Sequence, residues 1–160
     1  MSTPLPTPTD RVEETTGHRL LLALLTVSRR MKPRTSDGRI DRASVAVLHN
    51  VSAKAPLRVS ELAKCMGLDS STVSRHVSHL EEGGYLTRTG DPDDRRASRV
   101  LLTGKGRAIL DEAMRAQAAI VDRAVADWPE EDRDRLTALM TRLASNVDRL
   151  AAEAETETTR

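Results

Sequence analysis

Hydrophobic residues recur along most of this chain at spacings of three and four, which predicts a largely helical protein. The first predicted helix runs from Asp10, which can cap it, to about Met31. The second covers residues 42–52 and has Asp41 as its N-cap. Both helices have a broad apolar face, so each is expected to pack against other elements.

The middle of the chain predicts two short helices around a tight turn. Ser60 is expected to cap the first, which ends near Met66. Gly67 follows, and glycine commonly closes a helix because it adopts the left-handed conformation at little cost. The next helix covers residues 70–82, with Asp69 as its cap. Two helices joined in this way are typical of a helix-turn-helix.

Two β-capable runs follow, Tyr85–Arg88 and Ser98–Leu102, and the turn between them carries Arg95 and Arg96. A basic hairpin directly after a helix pair indicates a winged helix-turn-helix. In that arrangement a helix enters one groove of DNA and the hairpin, called the wing, contacts the other. Asp94 can support the wing by bracing Arg96, so that one of the two adjacent arginines projects into the minor groove. The sequence leaves open which arginine does so.

The C-terminal part predicts a long helix, Gly104–Trp128, capped by Thr103, and a last helix, Glu130–Ala152. Apolar residues of the last helix form a narrow seam, which is typical of helix-to-helix packing. Pairing of helices across subunits is expected for a protein with so small a core, and this seam and leucines of the first helix are the candidates for such an interface. The residues assigned to that interface are Leu21, Leu24, Leu136, Leu139, Leu143, Val147 and Leu150.

The predicted fold class is therefore mainly α (α+β): a winged helix-turn-helix with long N- and C-terminal dimerisation helices. The predicted parts are a disordered tail (1–9), N-terminal helices for dimerisation and scaffold (10–56), a DNA-binding lobe (57–103), C-terminal dimerisation helices (104–152) and a frayed tail (153–160).

Composition and charge support this interpretation. The chain of 160 residues has no Phe, one Tyr and one Trp, and so small a core favours pairing between subunits. Residues 11–107 carry 18 Lys or Arg against 11 Asp or Glu, whereas residues 108–160 carry 7 against 12. The basic excess therefore coincides with the predicted DNA-binding elements.

The sequence also bears on location. No apolar run approaches the roughly 18 residues that span a bilayer, so no membrane partner is expected. A single cysteine, Cys65, suits a reducing compartment, and we expect a small buried residue there rather than a redox switch. The predicted location is the bacterial cytoplasm, with association to the nucleoid when DNA is bound.

The predicted helix 70–82 carries the candidate chemistry. One face is apolar and anchors the helix, while the opposite face carries short hydroxyl side chains that let a helix lie deep in the major groove. Arg75 can bind a guanine through two parallel hydrogen bonds. The residues assigned to DNA contact on this helix are Ser70, Ser71, Thr72, Ser74, Arg75 and Ser78.

Over residues 57–106 the chain resembles the multiple-antibiotic-resistance regulator (MarR) family. The segments that carry the resemblance are Leu62-Ala63, Ser71–Arg75, Leu80–Leu86, Asp91–Arg96 and Leu102–Gly106. The resemblance implies a homodimer joined through its N- and C-terminal helices. It also implies a transcriptional regulator, most often a repressor, that binds a pseudo-palindromic operator in double-stranded DNA.

The resemblance further implies release by a small-molecule effector in a crevice between the dimer helices and the DNA-binding lobe. The residues that could line such a crevice here are His18, Arg19, Arg29, His49 and Met114. Relatives that bind aromatic acids often use aromatic side chains there, and this chain has almost none.

Two other classes of protein are weighed against a DNA-binding regulator. A protein-interaction module would carry acidic or apolar residues on the outer stripe of helix 70–82, where this chain has serines and Arg75. An enzyme is not expected, because the sequence has no catalytic triad order, no phosphate-binding glycine loop and no cluster of carboxylates in a predicted pocket. His76 and His79 could share a metal but lack further ligands, so no metal or other cofactor is expected.

Overall fold

The computed structural model describes residues 15–31, 35–92, 94 and 97–158, the last four of them by their backbone only. The described residues form six helices and three strands. In chain order these are α1 (Thr16–Arg30), α2 (Arg42–Lys54), β1 (Leu57–Arg58), α3 (Val59–Met66), α4 (Ser70–Glu82), β2 (Leu86–Gly90), β3 (Ser98–Leu102), α5 (Gly104–Ala124) and α6 (Glu130–Thr158). This mainly helical fold, with a hairpin after a helix pair, confirms the predicted class.

The three strands form a small antiparallel sheet in the order β1-β3-β2. Val100 of β3 lies opposite both Leu57 of β1 and Arg88 of β2, so the central strand is paired on both edges. β2 and β3 form the predicted hairpin, but β2 begins one residue later than expected. The N–H of Tyr85 is already used at the end of α4, where it donates to the carbonyl of Leu80 at 2.8 Å.

Helices α2, α3 and α4 enclose one hydrophobic core with this sheet. Leu48, Leu62, Leu80 and Val100 come from four different elements, and each is fully buried. Burial of a side chain of this kind contributes roughly 1.5–3 kcal/mol, so the core fixes the direction of every element that it joins. The outward faces of α4 and of the hairpin are therefore held by packing from within.

Short-range signals set the turn between α3 and α4. Gly67 closes α3 with a φ of 62°, in the left-handed region, as predicted. The carboxylate of Asp69 accepts a hydrogen bond from the N–H of Thr72 at 2.8 Å, which confirms Asp69 as the cap of α4. The predicted cap of α3, Ser60, is wrong. That helix begins at Val59, and the N–H of Arg58 donates to Glu61 at 2.7 Å.

Several predicted helix ends also need correction. α1 begins at Thr16, where the hydroxyl of Thr15 accepts from the N–H of His18 at 3.1 Å. The predicted cap Asp10 lies outside the described residues. α5 ends at Ala124 rather than Trp128.

The end of the last helix lies later than predicted. α6 continues to Thr158, although Ala152 was the expected end and a frayed tail was expected after it. Three of residues 153–158 are glutamate and one is alanine, and both are strong helix formers. An ion pair four residues apart, Arg149 to Glu153 at 3.1 Å, gives a small further support.

Thr103 joins the end of the hairpin to the start of α5. Its hydroxyl accepts a hydrogen bond from the N–H of Gly106 at 3.0 Å, which confirms it as the cap of α5. The same hydroxyl donates to the carbonyl of Gly84 at 2.8 Å, in the turn that follows α4. One side chain therefore serves two elements.

The chain divides into two compact units, Met1–Gln117 and Ala118–Arg160. In the first unit, α1 buries none of its residues, and Leu21 is 54% exposed. In the second unit, Leu139 of α6 is 53% exposed. None of the described helices combines the length and hydropathy needed to cross a bilayer.

Candidate nucleic-acid interface

Helix α4 is fixed by its inner face. Val73, Val77 and Leu80 are fully buried in the core, at positions i, i+4 and i+7. Because side chains at this spacing share one face of a helix, the residues on the other side of α4 face solvent. The sequence-predicted contact residues lie on that side or in the first turn. Ser70, Ser71, Arg75 and Ser78 are exposed, and Thr72 and Ser74 are half-buried.

Arg75 has no carboxylate partner among the described residues. Within the described part of the chain, its guanidinium hydrogen-bonds only to the hydroxyl of Thr72, at the long distance of 3.4 Å. Ser71 donates to the carboxylate of Asp69, and this bond, with those from Thr72, holds the pKa of Asp69 below its usual value. The first turn of α4 is thus held in place by its cap, while the guanidinium one turn later stays available for a ligand.

A shallow groove of about 390 Å³ follows this outer face. It is lined by Ser71, Ser74, Arg75, Ser78, His79 and Glu82. Four of these residues were predicted from the sequence, whereas His79 and Glu82 were missed. They lie four and seven residues after Arg75, a spacing that places them on the same face of the helix and could have identified them from the sequence.

The base of the wing is built around Asp91. This carboxylate is buried and accepts from Nε of Arg58 at 2.6 Å and from Nε of Arg99 at 2.8 Å. Hydrogen bonding to Asp91 raises the pKa of Arg58 and so favours its charged form. The N–H of Asp91 also donates to the carbonyl of Ala97 at 3.2 Å, which closes the loop between the strands.

The predicted wing residues are only partly described. Arg95 and Arg96 lie outside the described residues, and so does the predicted support of Arg96 by Asp94. The backbone carbonyl of Asp94 accepts from Ala97 at 2.9 Å. The structure adds Asp91 as a carboxylate at the wing base. It was missed because its partner Arg58 lies 33 residues earlier in the chain.

The predicted crevice residues are all exposed: His18, Arg19, Arg29, His49 and Met114. One open cavity of about 420 Å³ in the first unit contains none of them. It is lined by Ser36, Asp37, Gly38, Tyr85, Lys105, Ala108, Ile109 and Glu112.

The expectation that Cys65 is a small buried residue is wrong. Its side chain is exposed, with Sγ 3.4 Å from Nζ of Lys54. Leu62 and Ala63 occupy the buried positions of α3, and Cys65 falls on another face of that short helix.

Comparisons with known proteins agree with this geometry. The profile of the MarR family matches residues 40–97. YxaD of Bacillus subtilis (strain 168), described as an uncharacterized HTH-type transcriptional regulator, is 28% identical over 106 residues, which are 66% of this chain and 74% of YxaD. The crystal structure of MarR has a TM-score of 0.67 and 26% identity, covering 84% of this chain and 99% of that one.

A further structure, the transcriptional repressor CouR bound to a 23-mer DNA duplex, has a TM-score of 0.63 and 25% identity. The alignment covers 88% of this chain and 99% of CouR. The family match extends from the start of α2 into the wing and includes the groove residues of α4, Arg58 and Asp91. These relatives are regulators of transcription and not enzymes. The chain is thus similar to transcriptional regulators of the MarR family and has the winged helix-turn-helix fold of that family.

Proposed function

We propose that two copies of this chain bind a pseudo-palindromic operator in double-stranded DNA and repress transcription from it. In this proposal α4 enters the major groove and the wing enters an adjacent minor groove. The observation that carries the proposal is the outer face of α4, where hydroxyl groups surround Arg75, a guanidinium without a carboxylate partner among the described residues.

The side chains on the outer face of α4 are suited to hydrogen bonds with the edge of a base. Ser70, Ser71, Thr72, Ser74 and Ser78 are short, so the backbone of α4 can approach the floor of the groove. A guanidinium bound to a guanine by two hydrogen bonds contributes roughly 1–3 kcal/mol of discrimination against other bases. We assign base recognition to Arg75 and backbone positioning to the hydroxyl groups.

The wing supplies the second contact. We propose that Arg95 or Arg96 enters the minor groove, whose narrow A·T segments attract guanidinium groups. Asp91 supports this proposal, because it fixes both ends of the wing to the sheet through Arg58 and Arg99. Asp94 remains the proposed support of Arg96.

Dimerisation is proposed from the exposed apolar faces of two helices. An isolated helix of 15 residues is marginal in water, and α1 buries none of its residues. We propose that a second copy covers α1 and α6 through the residues Leu21, Leu24, Leu136, Leu139, Leu143, Val147 and Leu150. All seven are exposed except Leu143, which is half-buried. Two α4 helices would then lie about 34–36 Å apart, one turn of DNA.

A small-molecule effector completes the proposal. Its binding would release the repressor from DNA in the bacterial cytoplasm, where the DNA-bound form is part of the nucleoid. The proposed positions for effector contact are His18, Arg19, Arg29, His49 and Met114. Alanine substitutions at these positions, scored by whether an inducing compound still releases the operator, test this part separately.

DNA binding itself is tested by fluorescence anisotropy. The purified protein is titrated into a labelled duplex from its own upstream region and into a shuffled duplex, at about 150 mM salt. We expect tighter binding to the upstream duplex and a steep loss of affinity with rising salt, because phosphate contacts release counterions. Equal affinity for both duplexes contradicts the proposal.

Two variants sharpen this experiment. Arg75→Ala is expected to lower the preference for the upstream duplex by about tenfold or more. Arg115→Ala removes the same charge from an exposed position on α5 and is expected to leave the preference unchanged. Repression is checked with a reporter gene behind the bound region, whose expression should rise when the regulator is absent.

A further inference from the structure

Arg88 of β2 links α4 to the wing. Its Nε lies 2.9 Å from each carboxylate oxygen of Glu81, in the last turn of α4. Its guanidinium also lies 3.3 Å from the hydroxyl of Ser98, the first residue of β3. One side chain therefore contacts the end of the proposed DNA-reading helix and both strands of the wing.

The alternation of the strand explains why Arg88 reaches Glu81. Leu86 is buried, and Arg88 lies two residues later, on the same face of β2. Its partner across the sheet is Val100, which is also buried. Arg88 thus lies at the edge of the core face, where the strand leaves the core and becomes one arm of the wing.

The ion pair between Arg88 and Glu81 contributes too little free energy for stabilisation of the fold to be its main role. The side chain of Arg88 is 37% exposed and that of Glu81 is 24% exposed. Ion pairs with this much exposure contribute little to folding, because water already solvates both charges. What the pair does fix is a direction, because Nε is shared by both carboxylate oxygens of Glu81 while Nη1 lies 3.3 Å from the hydroxyl of Ser98, so the guanidinium is held from two sides.

The core fixes α4 and the start of β2, but not the rest of that strand. Tyr85 and Leu86 are buried, whereas Thr87 to Gly90 are exposed. Beyond the core, the contacts of Arg88 with Glu81 and Ser98 therefore hold the wing strands against the end of α4.

We propose that Arg88 is a positioning residue: through Glu81 it sets the angle between α4 and the wing strands, so that both can engage one DNA duplex at once. This inference rests on the proposed function. It differs from a direct contact of Arg88 with a phosphate, because it makes the acidic partner Glu81 as important for DNA affinity as the basic residue.

Substitution of Glu81 therefore distinguishes the two mechanisms, because they predict different changes in the affinity for DNA. If Arg88 acted on a phosphate, Glu81→Gln would leave the affinity unchanged or raise it, because a negative charge near DNA is removed. If Arg88 acts through Glu81, Glu81→Gln and Arg88→Gln both weaken binding by a similar factor, of roughly tenfold. The double variant is then no weaker than either single one.

The experiment measures the affinity of the full chain for its upstream duplex by anisotropy. It compares the wild type with E81Q, R88Q, the double variant and the charge exchange E81R/R88E. We expect the charge exchange to recover most of the lost affinity. The matched control is the exposed pair on α6, with R149Q and E153Q, which are expected to change nothing.

Footprinting identifies which contact is lost. In E81Q and R88Q, hydroxyl-radical protection in the minor groove is expected to fade, while guanine N7 protection in the major groove persists. Additive losses, an unchanged or tighter E81Q, or equal fading in both grooves would overturn the inference. A wild type without preference for its upstream duplex overturns the proposed function and this inference with it. A wild type that binds, with variants that match it, overturns this inference alone.

Discussion

Nε of Arg58 lies 2.6 Å from Oδ2 of Asp91, and this contact joins the first strand to the base of the wing. Nε of Arg99 approaches the same oxygen at 2.8 Å, and the side chain of Asp91 has no exposed surface. The carboxylate thus holds residues of β1 and β3 together at the point where the hairpin leaves the core.

Replacement of this carboxylate is expected to cost stability. Asp91→Asn removes a buried negative charge between two guanidinium groups, each of which keeps part of its surface in water. We expect a loss of about 2 kcal/mol in the free energy of unfolding, less than for a fully buried pair. Urea unfolding followed by circular dichroism measures it. The exposed control Asp111→Asn should stay within about 0.5 kcal/mol of the wild type, and an equally small change in Asp91→Asn would contradict the prediction.

Gly106 is required because the backbone of Tyr85 passes close to its Cα. A Cβ at this position would lie inside the van der Waals contact distance of the backbone carbonyl of Tyr85, which cannot move away because it accepts the N–H of Thr103 at 3.1 Å. Gly106→Ala is therefore expected to destabilise the fold by about 1–3 kcal/mol.

Two residues earlier in the chain, the same substitution serves as the control. A Cβ at Gly104 has no neighbour within 4 Å, so Gly104→Ala is expected to be neutral or slightly stabilising. Thermal melting of both variants gives the comparison. Equal melting temperatures for the two variants would show that the close approach has no energetic consequence.

The lowered pKa of Asp37 predicts that the protein loses stability in acid. Hydrogen bonds from the guanidinium of Arg39, then from the hydroxyl of Tyr85, hold the pKa of Asp37 below its usual value of 3.8. Since the folded state favours the charged form, this stabilisation is complete above the ordinary pKa and is lost as the pH falls below it.

The melting temperature of the wild type should therefore fall between pH 5 and pH 3, and that of Asp37→Asn should fall less. Asp69, whose pKa is also lowered, keeps part of the slope in the variant. Identical slopes for the two proteins would show that Asp37 gives no pH-dependent stability.

If the protein is a dimer as proposed, a substitution in the interface should halve its mass in solution. Leu139→Arg introduces a charge into the exposed apolar face of α6 and is expected to shift the protein from dimer to monomer at about 10 µM, because a charge is costly to bury in an interface. Leu68→Arg, at an exposed leucine in the α3–α4 turn, is the matched control and should remain a dimer. Sedimentation velocity distinguishes the two masses. A wild type that sediments as a monomer would refute the proposed assembly.

Local signals made much of this fold predictable from its sequence. The bounds of α4 and β3 are those predicted, and the caps Asp41, Asp69 and Thr103 make the predicted bonds. Each of these features depends on residues within three or four positions of one another. A sequence shows such neighbours directly, so the prediction needs no knowledge of the tertiary structure.

Contacts between distant segments were not predictable in the same way. Asp91 meets Arg58 only after the sheet has formed with β3 between β1 and β2, and Glu81 meets Arg88 only once the turn after α4 is in place. Helix ends were predicted less well for a related reason. Where no proline or glycine stops a helix, as after Ala152, small propensities decide the end.

The hydroxyl of Thr103 couples the start of α5 to the turn after α4. It is bonded at once to the first turn of α5 and to the carbonyl of Gly84, just behind α4. Any tilt of the start of α5 is therefore transmitted directly, through this one side chain, to the turn that follows α4.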